Sequence, residues 1–534
     1  MALELVSSRI FTPVFGSTTY TWGSLIGVIL SGLSLGYFLG GKIADRKPSF
    51  EKICSIVFTV GLYITFIPFI APSIIGFSIF VLPGSQFAPL VATFSLLIFP
   101  SILLGFVSPY AIKLGTDTLQ KVGNISGNLY SIATIGSIVG TFTTVFLLIP
   151  TLKVTQIIFG LGLVLLASSL IGLKTPAKAI TVGIFIILII PWSSFSGNLI
   201  PHPGFLIYEG ETPYSHLDVI DFGNTRTLFL DGKRHSAMNH NDPLALVIGY
   251  TEYFHLAKLI NPNFKNVLFV GGGGFTGPKN FLLVYPDVKV DVVEIDPEVI
   301  NVAKKYFAVK DDPRFRIFNE DARSFLSRTT EKYDVIILDA YATNYVPYHL
   351  LTDEFFKLLA TRLNPDGIVI SNLIGSLQGE NSDLFRAVYK TIKNTFPTLS
   401  IFPTEHKISN IQNIMLVSSI KDRTLVLENL LYSARQNSVT YLIDDFEQDE
   451  HFYTEKIETN DVPILTDKFA PVDKLLNPIT QQPYIIEELE YDTTRNDQKE
   501  DQYYGTIAGS LLVIAIIWIF YLIIIWKKQA IINP

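Results

Sequence analysis

The sequence predicts a polytopic α-helical membrane domain joined to an α/β domain of the Rossmann-like type. Residues 1–196 consist mainly of uncharged apolar runs, each near the roughly twenty residues that cross a bilayer core. Strand patterns alternate with helix patterns across residues 241–486, which is typical of a largely parallel sheet covered by helices. The first of these strands runs into four consecutive glycines, which favour a turn that approaches a ligand closely.

The composition supports a membrane protein and excludes several other classes. Apolar residues make up 49% of the 534-residue chain, which is high for a soluble protein. The net charge is -7 and no basic concentration is present, so nucleic acid is not an expected partner. Cys54 is the only cysteine, which excludes an internal disulfide and any multi-cysteine metal site. No bound metal is expected.

The membrane domain, residues 1–196, is predicted to contain about six transmembrane helices. The apolar runs lie near 19–41, 53–75, 88–112, 127–149, 154–172 and 178–195. A seventh run at 505–526 follows an acidic linker at 487–504 and is expected to tether the C-terminus. Gly32, Gly36 and Gly40 put a small residue at every fourth position of the first span, which favours close helix packing. The chain is therefore expected to be a multi-pass protein of the cell membrane, with the lipid bilayer as a partner.

The glycine-rich turn follows the strand at 267–271. Gly272, Gly274 and Gly277 spell the G-x-G-x-x-G of a dinucleotide site. Glu294 ends the second strand, where a carboxylate can accept hydrogen bonds from both hydroxyls of a ribose. The same arrangement serves enzymes that bind an adenosyl sulfonium, so the glycines alone leave both ligands open.

Two more acids follow the third and fourth strands. Asp321 lies at a strand-to-helix junction, where it could cap the helix or accept the exocyclic amine of an adenine. Asp339 ends the strand "YDVIILD" at the carboxyl edge of the sheet, where open α/β folds bind their ligands. A dinucleotide fingerprint does not predict these two acids, so together they favour an adenosyl donor. After them, Thr352 is predicted to cap a helix whose first turn holds Asp353 and Glu354.

The strand motifs resemble those of the spermidine synthases, or polyamine aminopropyltransferases, and in particular their membrane-fused relatives. "VLFVGGGG", "VVEID", "NEDA" and "YDVIILDAY" match that family's four sheet motifs in order and spacing. The resemblance implies that residues 200–240 form a small β-domain before a core of the S-adenosylmethionine-methyltransferase type. The fused subgroup normally has another helix before these membrane segments, so a clipped or naturally short start is expected.

The resemblance also assigns roles to individual residues. It places Gly271, Gly272, Gly273, Glu294 and Asp321 in the nucleoside site, with Glu294 on the ribose and Asp321 on the adenine. Asp339 corresponds to the acid that helps remove a proton from the attacking amine, and Tyr250 to a tyrosine of the acceptor pocket. The implied reaction is aminopropyl or methyl transfer to a small-molecule amine. The cosubstrate is decarboxylated S-adenosylmethionine or S-adenosylmethionine, no cofactor is bound permanently, and a homo-oligomer is allowed.

The amine-binding half of the family pattern is altered. Gly274 and Ala342 stand where the family has carboxylates, and Ser215, His235 and Thr251 stand where it has glutamines. These departures count against decarboxylated S-adenosylmethionine and putrescine as the specific pair. The leading hypothesis is a spermidine synthase-like transferase, and the alternative is a non-catalytic membrane protein that retains the fold for a structural or binding role.

Charged loops predict the orientation of the membrane domain. Lysine and arginine follow the first, third, fifth and last apolar runs, and such loops face the cytoplasm. The soluble half would then lie outside. Because adenosyl donors and pyridine nucleotides are made in the cytoplasm, and because one miscounted helix would reverse the result, the side of the soluble half stays open.

Overall fold

The computed structural model describes residues 1–46, 48–82, 86–116, 122–172, 204–340, 346–423, 425–436 and 451–475. The predicted span at 178–195, the linker at 487–504 and the span at 505–526 lie outside these residues. The described part contains a helical bundle, a small antiparallel sheet and an α/β layer structure, as the sequence predicts.

The helical bundle contains the first five predicted spans. Its helices are α1 (Ala2–Phe15), α2 (Thr19–Arg46), α3 (Phe50–Val81), α4 (Ala88–Gly115), α5 (Val122–Thr143) and α6 (Val154–Ser169). Five helices in the described residues are long and apolar enough to cross a membrane, with α5 extended to Thr151 and α6 to Gly172. Helix α1 is shorter and was not among the predicted spans. It buries Val6, Ile10 and Phe11 in the core of the bundle.

The small-residue stripe on α2 packs directly on α4, as predicted. A Cβ atom added at Gly36 would lie 2.2 Å from the carbonyl oxygen of Ile102. One added at Gly32 would lie 2.6 Å from the Cβ of Ser101. The two backbones therefore approach more closely than any larger side chain would allow, which increases the van der Waals contact between the two helices.

A four-stranded antiparallel sheet follows the bundle. Its strands are β1 (Phe205–Glu211), β2 (His216–Phe222), β3 (Thr225–Leu230) and β4 (Lys233–Asn239), paired in the order β1-β2-β3-β4. Leu217 and Val219 of β2 and Leu228 of β3 are fully buried. These side chains pack with Val299 and Phe307 of the next domain, so the small sheet is fixed against the α/β core.

The α/β core is a seven-stranded mixed sheet with helices on both faces. Its elements are α7 (Leu256–Ile260), β5 (Asn266–Val270), α8 (Thr276–Val284), β6 (Lys289–Glu294), α9 (Pro297–Tyr306), β7 (Phe315–Asn319), α10 (Ala322–Arg328), β8 (Tyr333–Leu338), α11 (Asp353–Thr361), β9 (Leu363–Gly375), α12 (Asp383–Thr395), β10 (Thr398–Pro403), β11 (Gln412–Ser419) and α13 (Leu427–Gln436). The strand order is β10-β11-β9-β8-β5-β6-β7. Strands β9, β8, β5, β6 and β7 are parallel, so their carboxyl ends share one edge.

The small sheet and the α/β core, together called the soluble part, contact one end of the helical bundle. The backbone N–H of Thr19, at the start of α2, donates to Asp473 over 2.8 Å. Lys153, just before α6, forms an ion pair with Glu209 of β1. The opposite end of α2 is about 42 Å away along a 28-residue helix, and there Asp45 pairs with Lys113 of α4 at 2.9 Å. The carboxyl ends of α2 and α4, which carry Lys42, Arg46 and Lys113, therefore lie at the end remote from the soluble part.

Candidate active site

The glycine turn passes directly over the end of β8. Gly271 has a φ of +95°, and a Cβ added there would lie 2.4 Å from the carbonyl oxygen of Asp339. Gly273 also has a positive φ, +50°. A side chain at Gly271 would clash with backbone, so glycine is required for the turn to approach the strand end. The turn then leads into α8 at Thr276, close to the predicted start of that helix.

Glu294 lies under this turn and holds it by hydrogen bonds. Its Oε2 accepts the N–H of Gly272 over 2.8 Å, and its Oε1 accepts the N–H of Asp296 over 2.9 Å. Burial raises the pKa of Glu294, while these backbone donors oppose that shift. Each carboxylate oxygen can accept a further hydrogen bond, which is what a ribose diol requires. Its contact with a ribose stays a prediction.

Asp321 is the N-cap of α10, one of the two roles that the sequence left open. Its Oδ1 accepts the N–H of Ser324 over 2.8 Å, and its Oδ2 lies 3.0 Å from Nε2 of His349. Burial opposes ionisation, but hydrogen bonds from Ser324 and His349 lower the pKa of Asp321. The carboxylate is partly exposed at the same sheet edge, and its adenine contact stays a prediction. Thr352 caps α11 as predicted, and Asp353 and Glu354 lie in its first turn.

Asp339 is held from both sides by neutral donors. The side-chain amide of Asn372, on β9, donates to its Oδ1 over 2.8 Å. The hydroxyl of Tyr250 donates to its Oδ2 over 3.1 Å. Burial raises the pKa of the Asp339 carboxyl, and these two donors oppose the shift. An oriented carboxylate with a raised pKa is suited to accept a proton.

Tyr250 and Asp339 line one cavity together with Gly271 and Gly272. Its wall also includes His235, Ser236, Thr251, Phe254 and Phe269. Gly273, Glu294 and Asp321 are not part of that wall. The structure therefore brings the predicted catalytic pair to one side of the glycine turn and leaves Glu294 beneath it.

Asn372 and Ser236 are site residues that the sequence did not reveal. Asn372 lies in the apolar strand "GIVISNLIG". Its side-chain amide does not ionise, so the sequence gave no reason beyond polarity to assign it to a site. Ser236 lies on β4, and its Oγ accepts the N–H of Gly274 over 2.8 Å. The hydroxyl thus fixes the glycine turn from the side of the small β-domain.

The site lacks room for an acid at position 274. A Cβ added to Gly274 would lie 2.9 Å from Cδ1 of Phe307 and 2.9 Å from Cβ of Ser236. The altered residue is therefore accompanied by packing that fills the adjacent space. Ala342 lies outside the described residues, and Ser215 lies in the turn between β1 and β2, away from the wall of the cavity.

A cluster of two carboxylates and one histidine lies on the small β-domain. Ligand atoms of Glu209, His216 and Asp218 lie within 4.8 Å of one another. Burial opposes the charged form of His216, but the hydrogen bonds that its ring donates to Asp218 and Glu211 raise its pKa to about 10. Protonated His216 and the ammonium of Lys153 therefore already supply cations to these carboxylates. The cluster is an ion-pair network beside the helical bundle.

The chain is similar to known aminopropyltransferases. The family model described as "Spermine/spermidine synthase domain" matches residues 248–424, from the turn that carries Tyr250 to just beyond β11. The chain is 31% identical over 216 residues to a polyamine aminopropyltransferase of Hydrogenobaculum, covering 37% of this chain and 70% of the relative. It is 29% identical over 199 residues to one from Vibrio vulnificus, covering 35% and 67%.

Another relative aligns well beyond the α/β domain. Polyamine aminopropyltransferase 2 of Aquifex aeolicus is 24% identical over 431 residues, which is 75% of this chain and 82% of the relative. These similarities do not favour a non-catalytic protein or a dinucleotide enzyme. The chain belongs to the spermidine synthase, or polyamine aminopropyltransferase, family.

Proposed function

We propose that this protein is a membrane-bound aminopropyltransferase that uses decarboxylated S-adenosylmethionine and a small-molecule amine. The observation that carries this proposal is the position of Asp339. Its carboxylate lines the cavity beside the glycine turn, and Tyr250 and Asn372 fix its two oxygens. This arrangement supports Asp339 as a proton acceptor beside the region to which the resemblance assigns the nucleoside.

The chemistry needs little beyond positioning and one proton acceptor. The amine nitrogen attacks the methylene carbon attached to the sulfonium, and the carbon–sulfur bond breaks. Its electron pair stays on sulfur, which leaves a neutral thioether, and the new carbon–nitrogen bond gives a secondary ammonium. Asp339 takes a proton from that nitrogen. Glu294 and Asp321 would hold the ribose and adenine while the turn at Gly271 allows close approach.

One observation favours S-adenosylmethionine as an alternative donor. Phe307 and Ser236 fill the space in which an acid at position 274 would stand. A donor whose tail ends only in an ammonium would lack that counter-charge, whereas the tail of S-adenosylmethionine carries its own carboxylate. Methyl transfer is therefore the second candidate.

Binding and product analysis test both candidates. We expect full-length protein in detergent to bind at least one of the two donors in calorimetry. Incubation with a panel of mono- and diamines, followed by mass spectrometry, distinguishes addition of an aminopropyl group from addition of a methyl group. Absence of heat with both donors, together with absence of either product, would refute the proposal.

We also propose that the soluble domain faces away from the cytoplasm. The soluble part contacts the end of the bundle opposite to Lys42, Arg46 and Lys113. Loops rich in lysine and arginine stay in the cytoplasm during insertion. This orientation would separate the site from donors made in the cytoplasm. A test of the orientation therefore also shows on which side of the membrane the donor must be available.

Cysteine labelling tests the orientation. In a Cys54→Ser background, we expect an impermeant maleimide to label Lys456→Cys in intact cells, because that side chain is 83% exposed on the soluble part. Asp45→Cys is the matched control, with its side chain 71% exposed at the remote end of α2. It should react only after the membrane is permeabilised. The reverse pattern would place the soluble domain in the cytoplasm.

A further inference from the structure

We infer that Arg9 and Thr212 are positioning residues for the nucleoside site, and that they connect helix α1 of the bundle to Glu294. A continuous series of hydrogen bonds runs from Arg9 through the turn at Thr212 and through Asp296 to Glu294. This inference rests on the proposed function, because it assigns the series an effect on donor binding. It does not depend on whether the donor transfers an aminopropyl or a methyl group.

The first link joins α1 to the turn between β1 and β2. Nη2 of Arg9 donates to the carbonyl oxygen of Thr212 over 3.0 Å and to that of Pro213 over 2.8 Å. The N–H of Thr212 donates to the carbonyl of Ser215 over 2.9 Å, which closes the turn. A guanidinium that bridges two successive carbonyls fixes both the position and the direction of the turn.

The second link is the buried hydroxyl of Thr212. It donates to Oδ2 of Asp296 over 2.6 Å and accepts the N–H of Ser215 over 3.0 Å. Thr212 is 2% exposed and Asp296 is 3% exposed, so water cannot readily replace this contact. A carboxylate oxygen in such a place loses much of its solvation, and the hydroxyl compensates for that loss.

The third link reaches the acid and the glycine turn. The N–H of Asp296 donates to Oε1 of Glu294, while Oδ1 of Asp296 accepts the N–H of Glu298 over 2.9 Å at the start of α9. On the other side, Oε2 of Glu294 accepts the N–H of Gly272. The Glu294 carboxylate is therefore held between the Gly272 amide and a segment whose conformation depends on Thr212.

Two other contacts between the membrane part and the soluble part do not belong to this series. Lys153 pairs with Glu209, and Thr19 pairs with Asp473. In the part of the chain that the structure describes, Lys153 bonds to Gln156 and Glu209, and Thr19 bonds to Asp473, so neither contact leads on to Asp296 or Glu294. Lys153 thus offers a control that removes attachment of the small β-domain without breaking the series.

Kinetics of full-length variants in detergent test the inference. We expect Thr212→Val to raise the KM for the donor about tenfold with kcat within about twofold, because the loss falls on a group that binds the donor before and during reaction. Thr212→Ser keeps the hydroxyl and should restore the KM to within about twofold. Arg9→Gln should raise it by about threefold, and Lys153→Gln should leave it unchanged.

Amide hydrogen exchange gives a second readout that needs no donor. Peptides covering residues 271–277 should exchange faster in Thr212→Val and Arg9→Gln than in the wild type or in Lys153→Gln. If Arg9→Gln and Lys153→Gln change exchange equally, the contacts only attach the small β-domain to the bundle, and the inference is wrong. Unchanged exchange in Thr212→Val would also overturn it. If the wild type binds no donor, the proposed function is wrong. The exchange comparison would still test whether Arg9 and Thr212 hold the glycine turn and Glu294 in position.

Discussion

Asp339→Asn is expected to lower turnover by about 10³-fold while donor affinity changes little. A positioned proton acceptor contributes on the order of 10² to 10⁴ to rate, and asparagine cannot accept the proton of the attacking amine. The substitution keeps the size of the side chain and leaves Glu294 and its contact with Gly272 in place. Steady-state turnover and donor calorimetry on the same preparation measure the two quantities separately.

The pH dependence gives a second signature of Asp339. Burial raises its pKa above the ordinary 3.8, so the carboxylate becomes protonated at a higher pH than an exposed aspartate does. We expect the rate to fall as pH falls through that raised pKa, and this acidic limb should disappear in Asp339→Asn. Asp366→Asn is the control, since Asp366 is exposed and pairs with Lys421 away from the cavity. Turnover of Asp339→Asn equal to that of Asp366→Asn would exclude a proton-acceptor role.

Glu294→Ala is expected to abolish the heat of donor binding, with a loss of affinity of at least about 10²-fold. Hydrogen bonds to a charged group contribute about 1.5 to 3 kcal/mol each, and a ribose diol would make two. Alanine also leaves the N–H groups of Gly272 and Asp296 without their acceptor, which loosens the turn itself. Glu294→Gln retains an amide oxygen for one of these donors and should bind the donor with intermediate affinity.

A matched control separates binding from folding. Glu331→Ala removes a carboxylate that is 58% exposed and lies 4.0 Å from Arg316. Its donor affinity and melting temperature should equal those of the wild type. Circular dichroism checks that Glu294→Ala keeps its secondary structure. Wild-type affinity in a folded Glu294→Ala protein would remove Glu294 from the nucleoside site.

The positions of Glu294 and Asp339 could be predicted because each ends a parallel strand. The order of apolar strands and intervening helices brings such ends to one edge whatever the details of side-chain packing. The contact between Asp339 and Asn372 could not be predicted in the same way, because it depends on β8 and β9 being adjacent and in register. Leu338 of β8 pairs with Ser371, which brings the next residue, Asn372, beside Asp339.

Packing around Gly274 shows a second limit of sequence reasoning. The missing acid is visible in the sequence, but the ring of Phe307 and the side chain of Ser236 come from two different elements and meet only in the folded chain. Helix α1 was missed for a related reason. Glu4 and Arg9 interrupt its apolar pattern, and its buried face is recognisable only from the helices against which it packs.

The contact between Arg9 and Thr212 has a consequence for the timing of biosynthesis. The two residues are separated by 203 positions. At about 5 to 20 residues per second, a ribosome adds that length in roughly 10 to 40 seconds. Helix α1 is therefore made long before the turn that accepts its guanidinium. A nascent chain can acquire the native arrangement around Glu294 only after the helices between Arg9 and Thr212 have been synthesised, so the proposed nucleoside site matures after that part of the helical bundle.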